Sequence, residues 1–553
     1  MRVSAGLSRW LPFLNWPRPD AARLRADAMA GLTVALVMVP QSVAYAGLAG
    51  MPLITGLYAA LIPALLASMM GNSTRLSVGP AALSCLLVFA SLSGMAAPGS
   101  AQWVTLAVWL ALLSGLMQLA LGVVQWGWVL NLISAPVLTG FTQAAVLLIA
   151  ASQLPALLGL QGPLSSLFTG PVIDLAALAF GIVCLALILL ARRVVPRFPA
   201  MMVVAALAAV VSALAGFERA GGAVIGALPS GWPTPYWPGF PGWDALGSLL
   251  MPALVIALVS FLETTASAKV EAQRDGRRWD DNQDLIAQGV AKIASGFSGS
   301  FATSASFSRS ALMLYAGATS GWAVVACTLL IALTLWLLTP ALHHVPRATL
   351  SAIVVAAIIG LVQPAAIRRL WRIGRVEAVI ALVTFVVTLL SAPYIYWGVI
   401  VGVLMSLAHF LYHRLHPRII EIGLHPDGSL RDRHLWKLPP LAPHLYALRM
   451  DDELDFASAS AFERRITEQL AAQPDTQHVC LFAQPINRID ISGVEVFMQL
   501  RERLAVRGIT LHISGIKLPV ERVLERAGAL QPGPLLRMYR TDAEALQALG
   551  QIR

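Results

Sequence analysis

Apolar residues run with few interruptions through the first 415 residues of the chain. No Asp, Glu, Lys or Arg occurs between Asp27 and Arg75, and none occurs between Arg75 and Asp174. About 20 apolar residues cross the ~30 Å hydrocarbon core of a bilayer as one helix, so the second stretch alone holds several membrane spans. Division at Gly/Pro/Ser clusters and charges predicts fourteen spans, several of them short, at 28–48, 53–70, 78–94, 102–122, 127–151, 172–191, 199–216, 246–266, 283–300, 307–318, 320–340, 349–363, 376–391 and 394–413.

After Tyr412 the pattern changes, and strand-like segments alternate with helical ones. Strands are predicted at Leu445–Arg449, His478–Phe482 and Thr510–Ile513, and helices at Ala457–Leu470, Gly493–Arg507 and Val520–Ala527. Such alternation predicts a small α/β domain. We therefore expect four parts: a polar, membrane-surface lead-in at 1–27, a transmembrane domain at 28–415, a linker at 416–440 and a soluble domain at 441–553.

Composition supports this division and excludes several classes of protein. Charged residues make up 12% of the chain, against roughly 25% in soluble proteins. The part up to Leu415 contains 22 Lys+Arg and 12 Asp+Glu, and the remainder contains 17 of each, so the net charge of +10 belongs to the membrane part. The four cysteines show neither a disulfide framework nor a zinc spacing, and we expect no metal and no cofactor.

Basic residues predict the orientation of the membrane part. They precede the first span and follow spans two, six, eight and twelve, which places them on one side: Arg2, Arg9, Arg18, Arg23, Arg25, Arg75, Arg192, Arg193, Arg197, Lys269, Arg274, Arg277, Arg278, Arg368, Arg369, Arg372 and Arg375. Loops on the other side hold only Arg219 and Arg347. The positive-inside rule then places both termini in the cytoplasm. We expect the protein to lie in the inner (plasma) membrane. Basic residues at membrane edges do not predict nucleic-acid binding.

Two short segments share an interrupted, Gly/Ser/Pro-rich character. One consists of the predicted span 78–94 and the residues 75–83 with which it opens, and the other consists of the predicted span 307–318 and the residues 296–311 that lead into it. They are third and tenth of fourteen, the same position in each half of a seven-plus-seven repeat, which is typical of a transporter binding site. Two half-helix N-termini at the membrane midplane would favour an anion. The alternative is that both segments are helix-packing surfaces.

Two charged residues within spans are candidate functional groups. Arg309, flanked by Ser306, Ser308 and Ser310, provides a guanidinium that can form paired hydrogen bonds with an oxyanion. Glu263 is a candidate proton-binding carboxylate, or alternatively a counter-ion to Arg309 or Lys269.

Other polar residues within or near the spans have weaker signals. Gln41 and Tyr45 are four residues apart on one helix face and could line a cavity, although packing is an alternative for Tyr45. His343, His344 and His409 lie near span ends, where we expect interfacial positions.

Five segments together resemble the SulP anion-permease family, also called solute carrier family 26. They are Pro40–Tyr45 (PQSVAY), Pro52–Tyr58 (PLITGLY), Ser77–Pro80 (SVGP), the segment around Glu263 and Ser306–Ser310 (SFSRS). The soluble part, with Asp490-Ile-Ser-Gly493 at a strand-to-helix turn, is similar to the STAS domains of that family.

The resemblance implies a fold and a mechanism. The fold is an all-α, fourteen-span membrane domain built as an inverted repeat, followed by an α/β STAS domain. A core (spans 1–4 and 8–11) would move like an elevator against a gate (spans 5–7 and 12–14), with the anion between spans 3 and 10, in a homodimer. By motif match, Gln41, Tyr45, Gly79, Ala81, Ser308 and Arg309 fall on the substrate-binding positions. Ser492 falls on a position that is phosphorylated in related anti-sigma antagonists, with a helix N-cap as the alternative.

These observations predict a secondary active anion transporter, first of all for sulfate with protons, and with sodium as the second choice. Bicarbonate, C4-dicarboxylate and nitrate are other oxyanions that the same residues could hold. An anion sensor that signals through the STAS domain is the alternative from a different class. The predicted spans contain neither a nucleophile–base pair nor a cluster of metal ligands, so the sequence does not predict an enzyme.

Overall fold

The computed structural model describes residues 11–160, 162, 172–195, 198–229 and 231–551. The first ten residues of the predicted lead-in lie outside the described residues, as does Arg197 of the charge argument. The chain divides into two compact units, Met1–Ser406 and Leu407–Arg553.

The first unit is helical. Its helices are α1 Ala21–Leu48, α2 Thr55–Ala59, α3 Ile62–Met70, α4 Ala82–Leu92, α5 Ala101–Val123, α6 Ala135–Leu157, α7 Leu175–Val194, α8 Ala200–Leu214, α9 Trp243–Asp275, α10 Asp281–Phe297, α11 Phe307–Tyr315, α12 Trp322–Leu342, α13 Arg347–Ile359, α14 Pro364–Ile373, α15 Arg375–Leu390 and α16 Tyr396–Leu415, which contains the point of division. Short 3₁₀ helices lie at Pro12–Asn15 and Gly127–Leu132, and α12 contains a π-helical turn at Thr334–Leu338.

Helices cover all the predicted spans, but not all of these helices could cross a membrane alone. Among the described residues, seven helices are long and apolar enough to do so. The others are shorter or broken, and the second predicted span is divided into α2 and α3 at Leu61. The helical membrane-type fold is therefore confirmed, whereas the count of fourteen crossings stays a prediction.

One helix lies in a stretch where the sequence analysis placed only a charged loop. The segment Pro364–Ile373 forms α14, which begins with a proline at its first position and carries Arg368, Arg369 and Arg372 as exposed residues. Proline is well suited to the first turn of a helix, because the N–H that it lacks has no intrahelical acceptor there. The sequence of α14 is basic and amphipathic, and it is too short and too polar to be predicted as a membrane span.

Helix α9 extends nine residues past the predicted end of its span, at 266, because its additional charges are paired. The carboxylate of Glu271 is buried and lies 3.4 Å from Arg75 Nε and 2.8 Å from Arg277 Nη2. It also accepts the backbone N–H of Thr74 at 3.1 Å. Burial of a carboxylate is tolerated when it is paired and hydrogen-bonded in this way. The same bonds attach the connection between α3 and α4 to α9.

Helices α5 and α10 pack with their backbones in close contact through glycines. A Cβ added to Gly115 would lie 2.8 Å from the carbonyl oxygen of Gly289, and one added to Gly289 would lie 2.7 Å from Leu119 N. Small residues allow such close approach between membrane helices. The contact holds the fourth and ninth predicted spans together.

The second unit is an α/β domain, as predicted. Its helices are α17 Arg433–Trp436, α18 Ala459–Ala472, α19 Ile491–Val506, α20 Leu518–Arg526 and α21 Asp542–Leu549, and its strands are β3 Ile419–Leu424, β4 Leu430–Asp432, β5 Leu445–Met450, β6 His478–Phe482, β7 Thr510–Ser514 and β8 Leu536–Tyr539. Strands β1 Val78–Gly79 and β2 Ser304–Ala305 belong to the first unit. The six-stranded sheet has the order β4-β3-β5-β6-β7-β8, in which β5 to β8 are parallel.

Two predictions for this unit require correction. Residues 416–440, expected to be a linker, contain β3 and β4, and β3 pairs antiparallel with β5. Alternating apolar residues in Ile419–Leu424 allow this pairing. Ser492 is not the N-cap of its helix, because Asp490 has that position and accepts the N–H of Gly493 at 2.9 Å.

Candidate functional site

The two interrupted segments meet. Val78 pairs with Ala305 and Gly79 pairs with Ser304 in a two-stranded antiparallel sheet, from which α4 and α11 begin within three residues. Ser306 N donates to Ser77 O and Ser77 N donates to Ser310 Oγ, both at 3.0 Å. Residues more than 220 positions apart therefore form one compact feature, as expected for matching elements of a repeat.

The helix starts on both sides of this sheet have no side-chain cap. Ala81 is the N-cap of α4, and the hydroxyl of Ser306, the N-cap of α11, accepts no N–H from the first turn. The first N–H groups of a helix have no intrahelical acceptor and carry partial positive charge. An anion placed near them would be stabilised.

Arg309 lies in the first turn of α11 and is almost completely buried, with 1% of its surface exposed. Its Nε donates to Ser77 Oγ at 3.2 Å, and its Nη1 donates to Gln41 Oε1 at 3.4 Å. Within the described part of the chain, its Nη2 has no hydrogen-bond partner and its guanidinium has no ion pair. Since a buried charge is costly when it lacks a partner, this nitrogen is where a bound anion would contribute most.

A cavity of about 160 Å³ adjoins Arg309, roughly ten times the volume that one water needs. It is lined by Thr33, Val37, Gln41, Arg192, Phe198, Pro199, Ala200, Met201, Ser308, Arg309 and Leu312. Thr33, Val37 and Gln41 repeat every four residues and so share one face of α1. The cavity thus lies between α1, α11 and the α7–α8 connection.

The six predicted substrate-binding residues are divided by this cavity. Gln41, Ser308 and Arg309 line it. Tyr45, Gly79 and Ala81 are buried near the same feature but do not line it. A Cβ added to Gly79 would lie 3.7 Å from Arg309 Nη2 and 2.4 Å from Met38 Cε, so glycine at this position leaves room beside the free nitrogen. The residues that line the cavity include none from the third predicted span, 78–94.

Glu263 contacts both interrupted segments. Its Oε2 accepts a hydrogen bond from Ser304 Oγ at 2.5 Å and lies 3.5 Å from Ser84 Oγ. Neither suggested counter-ion contacts it in the described structure: Arg309 bonds Ser77 and Gln41, and the Lys269 ammonium lies over the ring of Trp279, 5.7 Å from its centroid. Glu263 therefore has hydroxyl groups, rather than a direct ion pair, as its nearest partners.

Two cationic residues of this region were not recognised from the sequence. Arg192, counted there only as a loop charge, lines the cavity and donates through Nη1 to Ala356 O at 2.5 Å. Lys292 is fully buried in α10 and donates to Gln118 Oε1 at 2.8 Å. The available signal for Lys292 was its position as the single basic residue within the predicted span 283–300, whereas nothing in the sequence distinguished Arg192 from Arg193.

Lys292 and Glu263 are the ends of a polar network between helices. Gln118, which accepts from Lys292, donates to Ser260 Oγ at 3.1 Å. Ser304 lies between the backbone oxygen of Ser260, at 3.1 Å, and the carboxylate of Glu263. Side-chain networks of this kind hold buried polar groups in one arrangement.

Comparison with known proteins agrees with this architecture. A model of the sulfate permease family matches residues 24–384, and a STAS domain model matches residues 440–545. The chain is 31% identical over 558 residues to "Probable sulfate transporter MT1781" of Mycobacterium tuberculosis (strain CDC 1551 / Oshkosh), covering 99% of this chain and 98% of that protein. It is 30% identical over 550 residues to the chloroplastic sulfate transporter 4.1 of Arabidopsis thaliana, covering 95% of this chain and 79% of the relative.

Solved structures show the same fold at lower sequence identity. Murine Solute Carrier 26 family member A9, an anion transporter in the inward-facing state, matches with a TM-score of 0.86 and 21% identity, covering 99% of this chain and 95% of the other. The transmembrane domain of the cyanobacterial bicarbonate transporter BicA matches with a TM-score of 0.59 and 18% identity, covering 71% of this chain and 99% of the other. The chain therefore belongs to the sulfate permease family, a family of multi-pass membrane anion transporters and not of enzymes, and it carries a C-terminal STAS domain.

Proposed function

We propose that the protein is a secondary active transporter that takes up sulfate together with protons. The observation that carries the proposal is the buried guanidinium of Arg309. In the described part of the chain, one of its nitrogens has no partner, and it lies beside two helix N-termini without side-chain caps and beside a cavity. A charge inside a membrane protein is costly and usually functional. A bound oxyanion would supply the missing hydrogen-bond acceptor and the missing counter-charge.

Sulfate is our first choice of substrate for two reasons. The cavity is lined by two arginines, Arg192 and Arg309, and two forked donors suit a divalent anion with four equivalent oxygens. The relatives from Mycobacterium tuberculosis and Arabidopsis thaliana have names that describe sulfate transporters. Bicarbonate and C4-dicarboxylates are the alternatives that the same donors would accept.

Glu263 is our candidate for proton coupling. Its carboxylate is bonded to Ser304 of one interrupted segment and lies near Ser84 of the other, so a change of its charge would be transmitted to both helix starts. Protons are favoured over sodium because the nearest oxygen-bearing groups are two hydroxyls, whereas a hard cation such as sodium would require a larger set of oxygen ligands.

The proposal includes a transport mechanism and an assembly. Predicted spans 1–4 and 8–11 would form a core that carries the anion like an elevator against the gate of spans 5–7 and 12–14. Tyr45, Gly79 and Ala81 would shape the site behind Arg309. We further propose that the protein lies in the inner membrane with both termini in the cytoplasm, and that it forms a homodimer. Ser492 in the STAS domain is our candidate regulatory site.

The test of this function is flux. Purified full-length protein in liposomes should accumulate radiolabelled sulfate under an inward proton gradient, and unlabelled bicarbonate, a C4-dicarboxylate and nitrate should compete less well than unlabelled sulfate. Saturable sulfate binding without uptake would support an anion sensor and contradict transport. Stronger competition by another oxyanion would reassign the substrate.

Arg309→Ala and Arg309→Lys form a matched pair at the proposed binding site. Loss of the guanidinium should abolish uptake, and lysine, which retains the charge without the forked geometry, should restore a small fraction of it. Thermal melting of both variants checks that they remain folded. Normal uptake by folded Arg309→Ala protein would remove this residue from the binding site.

Glu263→Gln tests the coupling role separately from binding. The neutral amide should eliminate stimulation by a proton gradient while sulfate–sulfate exchange in preloaded liposomes continues. Gradient-driven uptake at the wild-type rate would show that another group carries the proton.

A further inference from the structure

Three side chains that can bind a metal ion converge outside the set of residues that line the Arg309 cavity. Glu218 follows α8, and His343 and His344 follow α12. Glu218 Oε2 lies 3.2 Å from His343 Nε2 and 3.4 Å from His344 Nδ1, and the three ligand atoms all lie within 4.8 Å of one another. The centroids of the two imidazole rings are 4.7 Å apart, with the ring planes inclined at 63°.

The two glutamate–histidine separations match the geometry of a zinc site. Nitrogen and oxygen ligands lie about 2.0–2.1 Å from zinc at the corners of a tetrahedron, which places neighbouring ligand atoms about 3.3–3.4 Å apart. Both glutamate–histidine distances have this length. Two imidazoles and one carboxylate are a ligand set that zinc accepts, with water in the fourth position. The side chains remain partly open to solvent, so an ion has an entry path.

The backbone on both sides of the cluster is fixed by a second set of bonds. Ile225 N donates to Val345 O at 2.9 Å, Gly226 N donates to His343 O at 3.1 Å and Arg347 N donates to Ala223 O at 2.9 Å. The segment after α8 and the α12–α13 connection therefore run side by side. This arrangement preorganises the three ligands, which reduces the entropy lost when an ion binds.

The cluster lies between the two parts of the proposed transport mechanism, the core and the gate. In the proposed division of the membrane unit, α8 belongs to the gate, α12 is the last helix of the core, and α13 returns to the gate. Glu218 and the histidine pair thus lie where a core helix ends and the gate begins again. An ion held by all three side chains would add to the three backbone hydrogen bonds that already connect the end of the core helix to the segment after α8.

We propose that Glu218, His343 and His344 form a binding site for Zn²⁺ or a similar transition-metal ion, and that the bound ion restrains core movement and inhibits transport. The second part rests on the proposed transport function, whereas metal binding does not.

Binding is tested on the full-length protein, purified with a tag free of histidine. Titration calorimetry with Zn²⁺ at neutral pH should show one equivalent bound per chain, and zinc-edge X-ray absorption should show nitrogen and oxygen ligands near 2.0 Å. Glu218→Gln, His343→Ala and His344→Ala should each weaken binding at least tenfold. The control is the double variant His409→Ala/His413→Ala. It removes two histidines of α16 whose rings lie next to each other, and it should leave zinc binding unchanged.

Three results would overturn the site: no zinc binding by the wild type, unchanged binding in the three cluster variants, or loss of binding in the His409→Ala/His413→Ala control. Thermal melting without metal checks that the variants are folded, and Glu218→Gln is nearly isosteric and so the least disruptive of them.

Inhibition is measured separately, as sulfate uptake with and without Zn²⁺ in the medium. Uptake by the wild type should decrease severalfold, and uptake by Glu218→Gln should be insensitive to zinc. Zinc binding with unchanged uptake would overturn the restraint, and absence of any uptake would contradict the proposed transport function while the titration still decides the site.

Discussion

Arg309 shows which properties of a single residue can be read from the chain. A charge within a short, serine-rich membrane segment predicts a functional group, because burying it without purpose would be costly. The sequence does not reveal that Ser77 and Gln41 bind two of its nitrogens while the third has no hydrogen-bond partner among the residues that the structure describes. Those partners are 232 and 268 positions away, so their contacts depend on how the helices pack.

Arg192 provides a prediction at the residue scale. If its guanidinium contacts the anion across the cavity, Arg192→Ala should raise the sulfate concentration for half-maximal uptake by roughly tenfold to a hundredfold, since a charge-assisted hydrogen bond contributes about 1.5–3 kcal/mol. Radiolabelled uptake over a range of sulfate concentrations measures this change.

Arg193→Ala is the matched control, because the neighbouring residue does not line the cavity and should retain wild-type affinity. Equal effects of the two substitutions would mean that only the general positive charge of this connection matters.

At the scale of elements, the STAS domain contains a helix start whose cap the sequence analysis misassigned. Asp490 accepts the N–H of Gly493 at the start of α19 and also that of Phe456, each at 2.9 Å. Asp490→Ala should therefore destabilise this region by about 0.5–2 kcal/mol. Ser492→Ala should change its stability by less than about 0.5 kcal/mol. Hydrogen exchange of α19 in the full-length protein measures both, and a larger effect of Ser492→Ala would restore serine as the cap.

The contact between α5 and α10 provides a second prediction for elements. Gly289→Ala places a methyl group 2.7 Å from Leu119 N, so the helices must separate, at a cost of about 1–3 kcal/mol. The melting temperature of the Gly289→Ala variant in detergent should therefore be lower than that of the wild type.

Gly247→Ala is the control for this substitution. Gly247 lies in α9, and a Cβ added to it would meet no atom of the described residues within 4 Å beyond its own stretch of helix. Alanine favours a helix by about 0.5–1 kcal/mol over glycine, so the melting temperature should be unchanged or slightly higher. A decrease of equal size in both variants would show that the loss does not come from helix contact.

At the scale of the whole molecule, the basic residues predict on which side of the membrane each connection lies. Arg219, after the seventh predicted span, and Arg278, after the eighth, should lie on opposite sides. The four native cysteines are buried, which leaves a low background for labelling. In intact cells, a membrane-impermeant maleimide should label Arg219→Cys directly and Arg278→Cys only after permeabilisation. Labelling of both from outside would contradict the count of spans between them.

Features that depend on neighbouring residues or on local composition could be predicted from the chain. The apolar runs, the two interrupted segments, the basic connections and the α/β pattern are of this kind, because transfer into lipid, backbone preference and charge at the membrane surface act on each segment in turn. Strands β3, β4 and β8 were missed, since short strands are stabilised by their partners in the sheet more than by their own residues.

Tertiary packing alone determines which side chains meet. It brings Arg192 to the Arg309 cavity, Lys292 to Gln118, Glu263 to Ser304 and Glu218 to His343. Each pairing joins helices or connections that are far apart in the chain or lie in different spans, and no local energy favours one such partner over another. The membrane character of this protein and the arginine within one of its predicted spans are thus properties of its sequence, whereas the arrangement of the partners around them is a property of its fold.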